Sequence, residues 1–340
     1  IGNNAFKNCK RLSEITIPST IKIIGDNAFS GCTFMRKIIL SPTITEIGKC
    51  SFEKCNSLRE LTIPSSVIKI GRNSFNGCKM LTKVTILNGL TKLDNFTFSE
   101  CISLKEISIP SSVIYFGNSL FEGCASLEII NIPDGLKTIG KCAFKGCSSL
   151  TSIIIPSLIT AIQEETFSDC QSLIEVIISS SVTTIDSNAF FNCISLKKIE
   201  IPNSVKVIGD SSFSQCKSLK NLIIPSSVQK IGKSSFYECS SLMSVSISSS
   251  VNSIGASSFQ KCTSLKTVNL NDSIKEIEWS LFEDCCSLVT FVIPASVTQI
   301  GSTAFRGCSS LQQVFIPQSV KKIDKGAFRG CSSLIQIAVP

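Results

Sequence analysis

Thiols are the reactive groups this chain repeats. Of its 18 cysteines, fifteen stand 23 residues apart, from Cys9 and Cys32 through Cys308 to Cys331. A cysteine can serve as a nucleophile, a metal ligand or half of a disulfide. Each role needs a companion, and the sequence withholds it. The chain contains no histidine, which rules out Ser-His-Asp and Cys-His nucleophile activation and every histidine-bound metal. No two cysteines have CxxC spacing, so clustered metal ligation is not indicated. A disulfide framework shows irregular, pairable spacings. A ladder of constant period gives each thiol two equivalent neighbours pointing the same way, whereas bridging needs Cβ atoms that converge. The fifteen are therefore read as small, buried, free thiols. Cys50 and Cys142 share a second slot, two residues before a phenylalanine, and Cys286 stands beside Cys285.

The carboxylates offer little more. Glu164-Glu165 and Glu283-Asp284 are adjacent, but neighbours on a helical stretch diverge, so both pairs read as solvated. No phosphate loop of the GxxxxGK type is read in the sequence. Recurrent glycine and serine are locked to the period and read as structural. No catalytic residue, cofactor or metal is expected.

What positions the cysteines is a repeat. A phenylalanine precedes each by three residues, at Phe6, Phe29, Phe52 and onward every 23 residues to Phe305 and Phe328, without slip or insertion. A fixed period of roughly 20–29 residues marks stacked rungs that bury their faces against each other. In residues 213–235, the spacing of Phe213, Cys216 and Leu219 by three predicts a short helical or 3₁₀ segment with one apolar edge. Leu222 and Ile224 are the inward residues of a short strand, which Pro225 ends. Val228 and Ile231 form a second extended piece, and Gly232 permits the turn into the next rung. The same slots recur as Leu61/Ile63, Ile107/Ile109 and Val314/Ile316, with a proline recurring from Pro18 to Pro340.

Composition agrees. At 43% hydrophobic and 17% charged the chain can build a core and is not disordered. No apolar run approaches the ~20 residues of a membrane helix. The net charge of +8 is uneven, with 15 Lys/Arg against 8 Asp/Glu in residues 1–113. One Trp, two Tyr and scattered lysines do not make a nucleic-acid stripe, so this reads as a solvated surface. No linker interrupts the register, which predicts one continuous domain over residues 1–340 of about 15 repeats. The chain opens in mid-rung at Ile1-Gly2 and carries no polar cap at either end, as expected of a fragment or trimmed ectodomain.

The pattern L-x-x-I-x-I-P-x-S-V-x-x-I-G-x-x-A-F-x-x-C resembles the BspA-like (treponemal-type) leucine-rich repeat class over the whole chain, with residues 311–331 filling nearly every slot. It departs from ordinary leucine-rich repeats where they carry an asparagine ladder. Here that slot is mostly serine, as at Ser66, Ser112, Ser204, Ser250 and Ser296, and Gly89, Gly135 and Leu158 break it. The resemblance implies a leucine-rich repeat solenoid with a parallel concave sheet. It also implies surface or secreted proteins of bacteria and parasitic protists that bind host proteins or other cells.

Within L-x-x-I-x-I the two outward slots would line that sheet. The first reads Glu14, Lys37, Glu60, Lys83, Glu106, an alternating-charge ladder expected to pair with itself, and later turns neutral at Asn221, Gln313 and Gln336. The second exposes Ile154, Ile177 and Ile223, then Val292, Phe315 and Ala338. Phe315, flanked by Val292, Gln313 and Gln336, is the candidate anchor for a protein ligand. Sugar recognition would want exposed aromatics, and Trp279, Tyr115 and Tyr237 lie off these strands. The expected role is a non-catalytic adhesion scaffold at the cell surface. The free thiols keep an intracellular, cytoplasmic interaction scaffold open as an alternative. Two sequons, at Asn95 and Asn271, carry no weight by themselves.

Overall fold

The computed structural model describes residues 1–338; Pro340 and the side chain of Ala338 lie outside the described residues. Each 23-residue repeat is one coil, and most coils carry two short strands. Alternation of inward aliphatic and outward polar residues makes the first strand, as in Glu60–Ile63 and Lys83–Ile86. These pair in parallel with no offset, Leu61 against Val84 and Ile63 against Ile86. The second strand is two residues long, as in Ile23–Ile24, Glu46–Ile47 and Lys69–Ile70, again parallel and in register. Equivalent residues of successive coils therefore lie about 4.8 Å apart.

The chain forms two compact units. One comprises residues 1–159 with 165–173, the other 160–164 with the chain from Ile174 on. In the first, the rings of Phe6, Phe29, Phe52, Phe75, Phe98, Phe121, Phe144 and Phe167 stack at 5.1–5.9 Å between centroids. In the second, Phe190 through Phe328 repeat the stack at 5.2–5.7 Å. Burying each ring contributes about 1.5–3 kcal/mol, and offset stacking suits the ring quadrupoles.

The helical segment expected between phenylalanine and leucine does not form. Phe213, Cys216 and Leu219 do point inward together, but on a ribbon of turns. The cause is a pair of left-handed residues in each coil, two positions before and two after the phenylalanine. Asn27 and Gly31 (φ 55° and 75°) bracket Phe29, and Ser211 and Gln215 (φ 52° and 63°) bracket Phe213. Each stands third in a turn, where a type II turn needs a positive φ. Donors then alternate in destination. Phe29 N–H reaches Ser51 O of the next coil at 2.7 Å, Ser30 N–H turns back to Asn27 O at 3.1 Å, and Gly31 N–H reaches Glu53 O at 2.8 Å. A helix keeps all its N–H bonds local; this ribbon gives half of them to its neighbour.

Two other slots have different reasons from those expected. Gly232 has no positive φ. Its place is one of close approach, where a Cβ would meet the backbone N of Asp210 at 2.5 Å. The serine slot does replace the asparagine ladder, since Ser66 Oγ donates to Ile44 O at 2.6 Å and Ser204 Oγ to Val182 O at 2.6 Å, one coil back. Where glycine breaks it, Gly89 takes φ 138°, and residues 128–133, just before Gly135, form no strand.

Candidate protein-binding face

The thiols are the densest chemistry in the coils, and burial shields most of them. All 18 cysteines are free and thirteen are buried. The ladder thiols donate to the phenylalanine carbonyl of the preceding coil: Cys32 Sγ to Phe6 O at 3.1 Å, Cys147 Sγ to Phe121 O at 3.2 Å, Cys308 Sγ to Phe282 O at 3.1 Å. That carbonyl also accepts its own coil's cysteine N–H, as from Cys9 to Phe6 at 3.0 Å. The slot thus uses an S–H donor, which a reading of cysteine as a plain small hydrophobe missed. Burial pushes the Cys32 thiol up to about 11 and Cys239 up to about 12, and holds Cys78, Cys101 and Cys124 well above the ordinary thiol range. The thiolate is the reactive form, so these groups are withheld from chemistry. Among the described residues, no group of three or more His, Cys, Asp or Glu is placed to hold a metal ion.

The outward slots of the first strands form an exposed face. Register places Glu14 opposite Lys37, Glu60 opposite Lys83 and Lys83 opposite Glu106. One of these pairs closes, Lys83 Nζ to Glu106 at 3.1 Å. Exposed pairs of this kind contribute roughly 0–1 kcal/mol, so the ladder serves solubility more than stability.

The candidate anchors divide. In the second unit, Val292 and Phe315 are 72% and 61% exposed and stand directly opposite each other on Thr290–Val292 and Gln313–Phe315. Gln313 pairs with Thr290 on one side and Gln336 on the other, and both glutamines are exposed. Ile177 and Ile223 lie on the same face of that unit, but the coil between them presents Glu200, tied to Lys198 at 2.6 Å. They do not join the patch. Ile154 is exposed on Ser152–Ile154 of the first unit.

The sequons are built into coil closure. Asn271 Nδ2, the atom a glycan would take, donates to Ser248 O at 2.9 Å and Val251 O at 3.0 Å. Asn95 Oδ1 accepts from the Asn118 N–H at 2.9 Å, and Thr97 of that sequon is buried. Gly135 to Lys141 spells GxxxxGK, but Cys142 follows where a phosphate loop needs Ser or Thr, and Thr138–Ile139 is a strand.

Grooves on this face were not legible beforehand. The first-strand ladder lapses between Lys37–Ile39 and Glu60–Ile63, which belong to separate sheets. A groove of about 520 Å³ opens there, lined by Arg36, Lys37, Ile39, Arg59, Glu60 and Pro64 among others. A second, about 510 Å³, opens where the ladder lapses between Lys198–Ile199 and Asn221–Ile224, with Lys197, Lys220, Ile223 and Pro225 on its walls. The signal was available: basic residues occupy the slot before the first strand in consecutive coils at Arg36/Arg59 and at Lys197/Lys220.

Stacked 23-residue coils with in-register parallel strands define a leucine-rich repeat solenoid. The chain belongs to the BspA type leucine rich repeat family, whose model matches residues 1–128, 117–243 and 229–340. It resembles a leucine-rich repeat protein from Bacteroides ovatus ATCC 8483, at 31% identity over 99% of this chain and 81% of that one, with a TM-score of 0.69. A leucine rich cell surface protein from Faecalibacterium prausnitzii A2-165 is 29% identical over 95% of this chain and 86% of its own, with a TM-score of 0.54. A leucine-rich repeat protein from Eubacterium ventriosum ATCC 27560 is 27% identical over 89% and 84%, with a TM-score of 0.61. No curated protein matches the chain.

Proposed function

We propose that this chain is a non-catalytic scaffold that binds a protein ligand through the outward face of its first strands, and that it works at the cell surface. One observation carries the binding site: Val292 and Phe315 stand side by side and largely exposed on adjacent strands, rimmed by Gln313 and Gln336. An aromatic and an aliphatic residue on a rigid, hydrogen-bonded face, with neutral polar groups around them, have the make-up of an interface centre. The placement at the surface is supported by the Faecalibacterium relative, described as a cell surface protein. The fifteen coils serve as one domain on this reading. The free thiols favour a second reading, an intracellular scaffold, because free cysteines accord with a reducing compartment. Their burial makes them durable in an oxidising one as well.

The test is a double substitution, Val292→Ser with Phe315→Ser, screened by biolayer interferometry against purified extracellular and cell-surface proteins. Both side chains are solvent-exposed, so Tm should hold. A ligand bound by the wild type should lose about tenfold or more in affinity. Unchanged affinity for every ligand found discards the patch.

A further inference from the structure

We propose that the groove between Lys37–Ile39 and Glu60–Ile63 binds an extended acidic segment of a partner protein. A carboxylate bridges Arg36 and Arg59, and an aliphatic side chain rests on Ile39. This deepens the protein-binding reading by adding a second site and the chemistry of its occupant.

Three observations converge. First, Arg36 and Arg59 occupy the same slot of adjacent coils, both exposed, and among the described residues neither has a carboxylate partner. Like charges in register on neighbouring strands repel, and a carboxylate between them offsets that cost with charge-assisted, bidentate hydrogen bonds. Of the other charged side chains in the groove, Lys37 adds to the positive field and Glu60 lies in register with Lys83 on its far side. Second, the strand edges facing the gap exchange no ladder bonds, since they belong to separate sheets. The gap does not admit a strand, because the coils on either side stay stacked through Phe29 and Phe52 at 5.2 Å; a peptide lies across the mouth of the groove and meets its outward-facing groups. Third, the arrangement occurs again. The groove of the second unit has the consecutive cations Lys197 and Lys220 at one end, exposed Ile223, and Pro225 at the other end. The first has Arg36 and Arg59, half-exposed Ile39, and Pro64; the match is partial, because Ile39 and Ile223 stand on opposite coils of their gaps and Glu200 fills the Ile39 slot in the second groove. The arginine groove is the stronger, because lysine lacks the planar fork and the second groove is also lined by Glu200, which holds Lys198 at 2.6 Å.

The groove's shape selects a peptide over a polyanion. A sulfated polysaccharide wants cations along its whole length, whereas these stand at one end and the other is apolar. Three residues of strand separate Arg36 from Ile39, about 10 Å. Side chains of an extended ligand alternate in direction, so its carboxylate and its aliphatic side chain enter the groove together only at an even spacing, and four residues is the shortest that spans this distance.

The probe is a fluorescein-labelled octapeptide, Thr-Thr-Asp-Thr-Thr-Thr-Leu-Thr, read by fluorescence anisotropy at low ionic strength. Its Asn counterpart and a labelled heparin hexasaccharide run alongside. Saturable binding of the Asp peptide is expected, weakened about tenfold by Asp-to-Asn exchange and about tenfold by the double variant Arg36→Gln/Arg59→Gln. Affinity should also fall as salt rises. The Val292→Ser/Phe315→Ser variant should bind this peptide as the wild type does, so the failure of that patch and of this groove are read separately. Equal binding of the Asn peptide, full affinity in the arginine variant, or binding of heparin with none of the peptide would each overturn the proposal.

Discussion

Cysteine holds its slot for a reason that is specific to each residue. The cavity is small, fully enclosed and roofed by a carbonyl one coil back, as Cys147 shows with Phe121 O at 3.2 Å. Valine fills such a space but cannot donate; serine donates but is smaller and prefers water. Cys147→Val should cost about 0.5–1.5 kcal/mol through the lost hydrogen bond, and Cys147→Ala more, because it adds a void. Urea unfolding of both variants measures this, and a Val variant as stable as the wild type would show that the S–H contributes nothing. Period and residue type alone announced a buried free thiol; the hydrogen bond stayed hidden, because the partner carbonyl is 26 residues away and only the pitch of the coil brings it over. Asn271 is a similar case, where a tripeptide that spells a modification site proves to be a coil brace.

At the scale of the element, the turn ribbon and the thiol ladder share one feature: both send hydrogen bonds to a neighbouring coil, the ribbon with alternate N–H groups and the thiols to a phenylalanine carbonyl. Burial gives the ladder a pH dependence. Burial raises the folded-state thiols, Cys32 to about 11 and Cys239 to about 12, above the ordinary value near 8.5 that the unfolded chain has. Stability from these groups is therefore complete below about pH 8.5 and is lost as pH climbs toward the folded values. Each buried thiol withdraws up to about 1.4 kcal/mol per pH unit in that window, and thirteen are buried. The melting temperature should stay level from about pH 7 to 8 and collapse between about pH 9 and 11. A level profile through pH 11 would mean that the thiols are not shielded. The strands were readable from apolar alternation, as at Leu61/Ile63. The helical expectation was misled by spacing of three, because inward residues recur at that interval on successive turns too. The left-handed residues that decide the matter include Lys54, Glu100 and Gln215, types that give no warning of a positive φ.

For the whole molecule, the repeat made the solenoid legible from end to end, since one pattern fixes what faces inward in every coil. The candidate site was legible in part. Alternation placed Val292 and Phe315 outward, and parallel register brought them together. The same alternation puts Glu200 in the outward slot between Ile177 and Ile223, which separates them. It could not show the grooves, which arise where the first-strand ladder lapses rather than where it continues. All of these conclusions depend on like residues standing over like with zero offset. Cysteines placed at Thr62 and Thr85, outward-facing partners in register, test that directly. Treatment with a short thiol-reactive bis-electrophile followed by peptide mass mapping should join Thr62→Cys to Thr85→Cys rapidly, at about 4.8 Å between coils. It should leave Thr62→Cys and Ser108→Cys, two coils apart, unjoined. Efficient joining of the distant pair, or of Thr62→Cys to a residue offset from Thr85, would contradict the stacking on which the account rests.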